Sequence, residues 1–201
     1  MFALDWSQAL EVGIAVVVIS FLFVDMFDTA GTLVSVAHRA GLLDEKGHVI
    51  NLRKALIADS TATVAGAALG MARRALDAAV AYTRQRPMFG QHLADFQLTQ
   101  ARLGEMSALI DAAAMLTYRA AWMRDESPTQ GAGTPAYTAA AAAAKLTATE
   151  NAQRVIDMAV QMFGGRGVRV GEVVEHLYRD IRSLRIYEGA SEVQLLILGK
   201  A

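Results

Sequence analysis

The chain has 201 residues, of which 54% are apolar and 19% charged, with a net charge of −1 and no cysteine. That balance supplies no basic face for nucleic acid, and disulfide and thiolate chemistry are excluded. The histidines, His38, His48, His92 and His176, include no i, i+4 pair, so no zinc site is expected.

Residues 1–70 carry four Lys/Arg and seven Asp/Glu, and residues 71–201 carry fifteen and thirteen. The first part contains Val12 to Val24, thirteen residues without a charge. This run is shorter than the roughly 18–20 residues that span a bilayer, and it lacks the basic start and cleavage site of a signal peptide. Composition leaves lipid contact through residues 12–33 and a buried soluble helix equally open. Asp25 and Asp28 follow, three apart on one helical face. Gly41 to His48 reads as a polar turn. A helical stretch then starts near Asn51, with Leu52, Leu56 and Ile57 at helical spacing and a mild interruption at Asp59-Ser60-Thr61.

From Ala65 to Arg86 an amphipathic helix is expected. Leu69, Ala72, Leu76, Ala79 and Val80 form its stripe, and Arg73, Arg74, Asp77 and Arg84 lie outside it. Pro87 ends it. A second helix runs from about Asp95 to Glu126, with Phe96, Leu98, Leu103, Met106, Leu109, Ile110, Ala113, Leu116 and Ala120 as apolar positions. Ser127 to Pro135 reads as a linker. Tyr137 to Phe163 is a third long helix, opening on an alanine run and closed by a glycine cap at Gly164. Val173 to about Ile181 is a fourth, and Glu192 to Leu198 forms the last turns, with Ser191 as their cap. No alternating strand pattern of useful length is visible after residue 60. The expected fold class is all-α, an antiparallel four-helix bundle preceded by an apolar helical segment.

Three helix breaks hold chemistry. The first has Arg86 and Phe89-Gly90, the second Gln161 and Gly164-Gly165-Arg166-Gly167, and the third Tyr187-Glu188-Gly189. Glycine clusters expose backbone N–H groups that can bind a diphosphate, and Arg86 would add a fixed charge. Arg166 and Arg169 read as solvated charges. Glu188 sits on a chain break before a glycine, where a scaffold can aim a carboxylate.

Two resemblances complete the reading. Phe23 to Leu33, Ala40-Gly41-Leu42-Leu43-Asp44 and Ala58-Asp59-Ser60 resemble the nucleobase permeases, the purine and adenine transporters. The segments Gly70 to Asp77, Gln85 to Gly90, Asp95-Phe96-Gln97, Ala120-Ala121-Trp122, Ala143-Ala144-Lys145, Gln161 to Gly167, Tyr178-Arg179-Asp180, Ile186 to Gly189 and Ser191-Glu192 resemble the C-terminal helical domain of the acyl-CoA dehydrogenases. The chain therefore reads as a fusion, with residues 1–64 permease-like and 65–201 dehydrogenase-like.

The second resemblance implies FAD held between subunits and oxidation of an acyl thioester between its α and β carbons. It makes Glu188 the base that takes the α proton. It places Arg86, Phe89, Gln97, Gln161, Gly164, Gly165, Ala190 and Glu192 against FAD, and Tyr187 and Gly189 against substrate. Ala190 replaces a frequent threonine, removing a hydroxyl contact. The implied partners are an acyl-CoA, an electron-transfer acceptor and further copies in a homodimer or homotetramer, in the cytoplasm. The family's N-terminal helical and middle β domains would precede this bundle, and permease-like sequence stands there instead. Two other readings stay open, a non-catalytic oligomerising helical module and a membrane permease fragment. On the enzymatic reading, the three corners converge on one cofactor.

Overall fold

The computed structural model of the chain describes residues 52–126 and 134–201, with side chains from residue 60 onward. The apolar run at 12–24, the Asp25/Asp28 pair, the turn at 41–48 and most of the 127–135 linker lie outside the described residues. Residues 51–201 form one compact unit.

Five helices occur among the described residues: α1 (Leu52–Gln85), α2 (Gln97–Glu126), α3 (Pro135–Phe163), α4 (Val173–Leu184) and α5 (Ser191–Leu198). The first four make the antiparallel bundle that the pattern predicts. Contacts near the ends of α3 fix its sense. Asn151 donates to the Leu109 carbonyl and Arg154 pairs with Glu105, so α2 runs against α3. Tyr82, near the C-terminal end of α1, stacks on Phe163 at the C-terminus of α3, so these two run parallel. Helix α3 touches each of the other four helices.

Its sequence explains that centrality. Ala140, Ala144, Ala148, Ala152 and Ala159 are buried in one core with Ala65, Ala68, Ala72, Ala75 and Ala79 of α1, and Ala141 is buried beside Tyr137. Methyl-sized side chains let helix axes approach closely, and alanine is also the best helix former. Met106 and Ile110 of α2, Val155, Ile156 and Phe163 of α3 and Ile181 of α4 supply the bulk.

Several boundaries differ from the expectations. Helix α1 passes through Asp59-Ser60-Thr61 without a break; polar residues interrupt a helix only when their side chains draw the backbone away, and packing on α3 holds this one. Helix α3 starts earlier, at Pro135, because Thr134 caps it: the Thr134 hydroxyl accepts from Tyr137 N–H and proline occupies the first helical position. Gly164 does close α3, at φ 57°. Ser191 is not the cap of α5; Ala190 holds that place, and Ser191 enters the helix. Leu98, an apolar position of α2, is 82% exposed, and the inner stripe of that helix runs through Thr99, Met106 and Ile110.

A two-residue hairpin, too short to leave an alternating pattern in the sequence, joins α1 to the start of α2. β1 (Pro87–Met88) pairs antiparallel with β2 (Gln91–His92). The turn between them puts Phe89 at φ 50° and Gly90 at φ 83°. Left-handed backbone at both central residues matches the twist of a two-residue hairpin. Glycine accepts that conformation readily; phenylalanine does so only against a steric penalty.

Candidate functional site

The corner between α4 and α5 is built around the helix that faces it. Lys145, 1% exposed, reaches from α3 and donates from Nζ to the Tyr187 carbonyl at 2.6 Å and to the Gly189 carbonyl. Gln194, on α5 and equally buried, donates from Nε2 to the Glu188 carbonyl at 3.3 Å and the Gly189 carbonyl at 3.0 Å. Three consecutive carbonyls are thus tied from two sides. Glu188 itself stands at φ 54°, a rare conformation for a residue with a side chain. Gly189 is required here: at φ 87°, a Cβ would lie 2.6 Å from Gln194 Nε2.

One turn along α3, Glu150 closes the same corner. Its carboxylate accepts from Arg185 through both Nε and the terminal nitrogen, at 2.9 and 2.7 Å, and from the Ser191 hydroxyl at 2.6 Å. The bidentate fork fixes where α4 ends and α5 begins. The Glu188 carboxylate is left exposed, with the Ser60 hydroxyl of α1 donating to it at 2.8 Å. The Glu188 N–H has no acceptor among the described residues. Burial lowers the pKa of Lys145, and the nearby Glu188 charge works in the opposite direction.

The other two corners meet at the far end of α3. The Tyr82 ring stacks on Phe163 with centroids 4.2 Å apart, and its hydroxyl donates to the Phe163 carbonyl. The Arg166 guanidinium lies over the Tyr82 ring, 5.5 Å from its centre, and donates from Nε and one terminal nitrogen to a single oxygen of Glu172. Arg166 stays exposed while making these contacts. Arg86, Phe89, Gln97, Gln161, Gly164 and Gly165 are all exposed. Phe89 is 91% exposed and touches Phe96 edge-on at 6.5 Å. A Cβ built on Gly164 or Gly165 would meet nothing within 4 Å, so open space adjoins that backbone.

Within one chain, then, the three corners do not converge. Lys145, inside α3, marks the level of the Glu188 corner and Phe163 that of the other two, eighteen residues apart on α3, which is about 27 Å at 1.5 Å per residue. Arg86, Phe89, Gln161, Gly164 and Gly165 cluster at the second level. Tyr187, Glu188, Gly189, Ala190 and Glu192 cluster at the first, where Glu192 is exposed in the first turn of α5. The Tyr178-Arg179-Asp180 run stays on α4, where Arg179 pairs with Glu175 and Asp180 with His176.

Lys145, Glu150, Arg185, Gln194 and Ser60 carry this geometry, and none of them stands out as a site residue from spacing. Lys145 had a readable signal, a single ammonium directly after six alanines.

Comparison with known proteins agrees with this architecture. Residues 51–201 match the model of the acyl-CoA dehydrogenase C-terminal domain, and residues 1–73 match a permease family model. The short-chain specific acyl-CoA dehydrogenase of Megasphaera elsdenii is 39% identical over 160 residues, 80% of this chain and 40% of that protein. The probable acyl-CoA dehydrogenase YngJ of Bacillus subtilis is 38% identical over 138 residues, 69% of this chain and 34% of that protein. Among solved structures, butyryl-CoA dehydrogenase from Megasphaera elsdenii superposes with a TM-score of 0.69 at 39% identity, covering 74% of this chain and 37% of that one. The chain spans about two fifths of the length of such relatives. Among the described residues no helix is long and apolar enough to cross a membrane. An all-α bundle with α3 at its centre, three glycine-bearing corners and a family match over residues 51–201 place this chain in the acyl-CoA dehydrogenase family, of which it carries the C-terminal helical domain.

Proposed function

We propose that the chain acts in FAD-dependent α,β-dehydrogenation of an acyl-CoA, contributing the helical half of the site. The observation that carries this is the corner at Glu188. An exposed carboxylate leaves a backbone pinned on three successive carbonyls, beside an N–H with no acceptor among the described residues. Such a carboxylate can remove an acidic C–H proton, and such an N–H can stabilise the oxyanion that develops on a thioester carbonyl. Tyr187 and Gly189 would flank the substrate.

The other end suits an anionic dinucleotide. Open backbone at Gly164 and Gly165, the exposed Arg86 guanidinium and the exposed amide of Gln161 are donors without steric cover. The Phe89 ring offers a stacking or packing face. Gln97 lies beside this hairpin at the start of α2, whereas Ala190 and Glu192 lie at the Glu188 end. Bound there, FAD would supply the hydride acceptor.

Because the two ends are about 27 Å apart along α3, one copy would present its Arg86/Gly165 end to the Glu188 end of another, in a homodimer or a tetramer of such pairs. An electron-transfer acceptor would then reoxidise the cofactor. Exposed Met115, Tyr118 and Trp122 on α2 give apolar area for association.

The test is the visible absorbance of the purified chain with added FAD. Flavin uptake is expected, and Arg86→Ala is expected to weaken it by about tenfold, the loss of one charge-assisted contact. No uptake at micromolar FAD by the associated chain would leave only the oligomerising helical module.

A further inference from the structure

The buried ammonium of Lys145 is an expensive feature in a bundle otherwise lined with alanine. An isolated buried charge is strongly penalised unless its protons find acceptors. Here two of them do, and both acceptors belong to one short segment: the carbonyls of Tyr187 and Gly189, immediately before and after Glu188. A lysine that only filled space could be replaced by an apolar residue of similar volume. A lysine that only neutralised a helix end would address the last carbonyls of α4, which ends at Leu184. Lys145 does neither.

We propose that Lys145 is the positioning residue of Glu188. Its ammonium straddles the corner and fastens the peptide groups on either side, so that the carboxylate leaves an unfavourable backbone conformation in one fixed direction. This rests on the reading of Glu188 as the base.

Three observations support it independently of family. The Glu188 backbone stands at φ 54°, a conformation that persists only where surrounding bonds over-determine it. Gln194 ties the Glu188 and Gly189 carbonyls from the opposite side, and Gly189 leaves no room for a Cβ beside it. The Gln194 amide meanwhile leaves its own Oε1 buried without a partner among the described residues, so its orientation serves the corner's carbonyls at its own expense. Charge links the two residues as well. Burial lowers the Lys145 pKa, and the Glu188 carboxylate partly restores it.

The experiment has three arms, two of them independent of catalysis. In the first, the Lys145 ammonium is titrated by side-chain NMR in the native chain and in Glu188→Gln. The midpoint is expected to fall in Glu188→Gln, because the supporting charge is gone; an unmoved midpoint overturns the proposal. This arm uses an exposed substitution and stands even if changes at Lys145 prevent folding. In the second, Lys145→Met is expected to speed amide hydrogen exchange by about tenfold or more at Tyr187 and Ser191, whose N–H groups donate to the Ser183 and Arg185 carbonyls on either side of the clamped segment, with exchange around Phe163 unchanged. Uniform acceleration across the bundle would mark a merely structural lysine and overturn the proposal. In the third, α-proton exchange of an acyl-CoA is followed in the FAD-loaded assembly. A fall in kcat with KM nearly constant is expected for Lys145→Met, and an unchanged kcat overturns the proposal. If the native assembly shows no exchange while the first two arms behave as expected, the clamp stands and the assignment of Glu188 as base falls.

Discussion

Glu188→Gln is expected to lower α-proton exchange of an acyl-CoA by about 10²- to 10⁴-fold in the FAD-loaded assembly, the usual contribution of a positioned general base. The substitution keeps the shape of the side chain and an oxygen that can still accept from the Ser60 hydroxyl. The Glu188 side chain is exposed, so fold stability should move by no more than about 0.5 kcal/mol. Flavin absorbance should persist, since Arg86, Gln161 and Gly165 lie at the other end of α3. Deuterium wash-in at the thioester α carbon, followed by NMR, separates this outcome from simple loss of the cofactor. Native rates of exchange in Glu188→Gln would place the base on another residue.

The second large effect concerns stability. Gly167 is buried at the end of the turn after α3, and a Cβ there would lie 2.3 Å from the Val160 carbonyl oxygen and 3.0 Å from its carbon. Both are backbone atoms of α3, which cannot swing aside as a side-chain tip can. Gly167→Ala is therefore expected to destabilise the bundle by about 2–4 kcal/mol, as overpacking against rigid backbone does, seen as a melting temperature lower by roughly 5–15 °C. Gly165→Ala is the matched control. Its added methyl meets nothing within 4 Å, so stability should change by at most about 0.5 kcal/mol. Equal melting temperatures for the two variants would refute the close approach at Gly167.

These two glycines show what could be read in advance. The Gly164-Gly165-Arg166-Gly167 run announces a helix end, and α3 does end there. Which glycine is packed against Val160 and which faces open space depends on the local turn of the backbone, and spacing carries no trace of it. The helices themselves were legible because alanine-rich stripes at three- and four-residue steps admit one buried face. Leu98 shows the limit of such stripes, since an apolar residue on a helix can still stand 82% exposed, and the hairpin at Phe89–Gly90 shows another. That hairpin was invisible, since its strands are two residues long and its turn places a phenylalanine in left-handed backbone.

The candidate site was legible at its corners and hidden in its supports. Glu188, Gly189 and the glycine cluster announce themselves by breaking helices. Lys145, Glu150 and Gln194 sit inside helices, where a polar residue looks like one more position on a solvated face until tertiary contacts are known. Which end of the bundle each break occupies was also hidden, because order along a chain says nothing of it; the separation of the corners along α3 leaves their expected convergence to an arrangement between subunits.

The distance between Lys145 and Phe163 has a consequence for measurement. Complete sites would be counted by pairs of chains, so their number follows mass action. Specific activity should then decline on dilution below the dissociation constant of the pair, with each separated chain still folded, and should return on reconcentration.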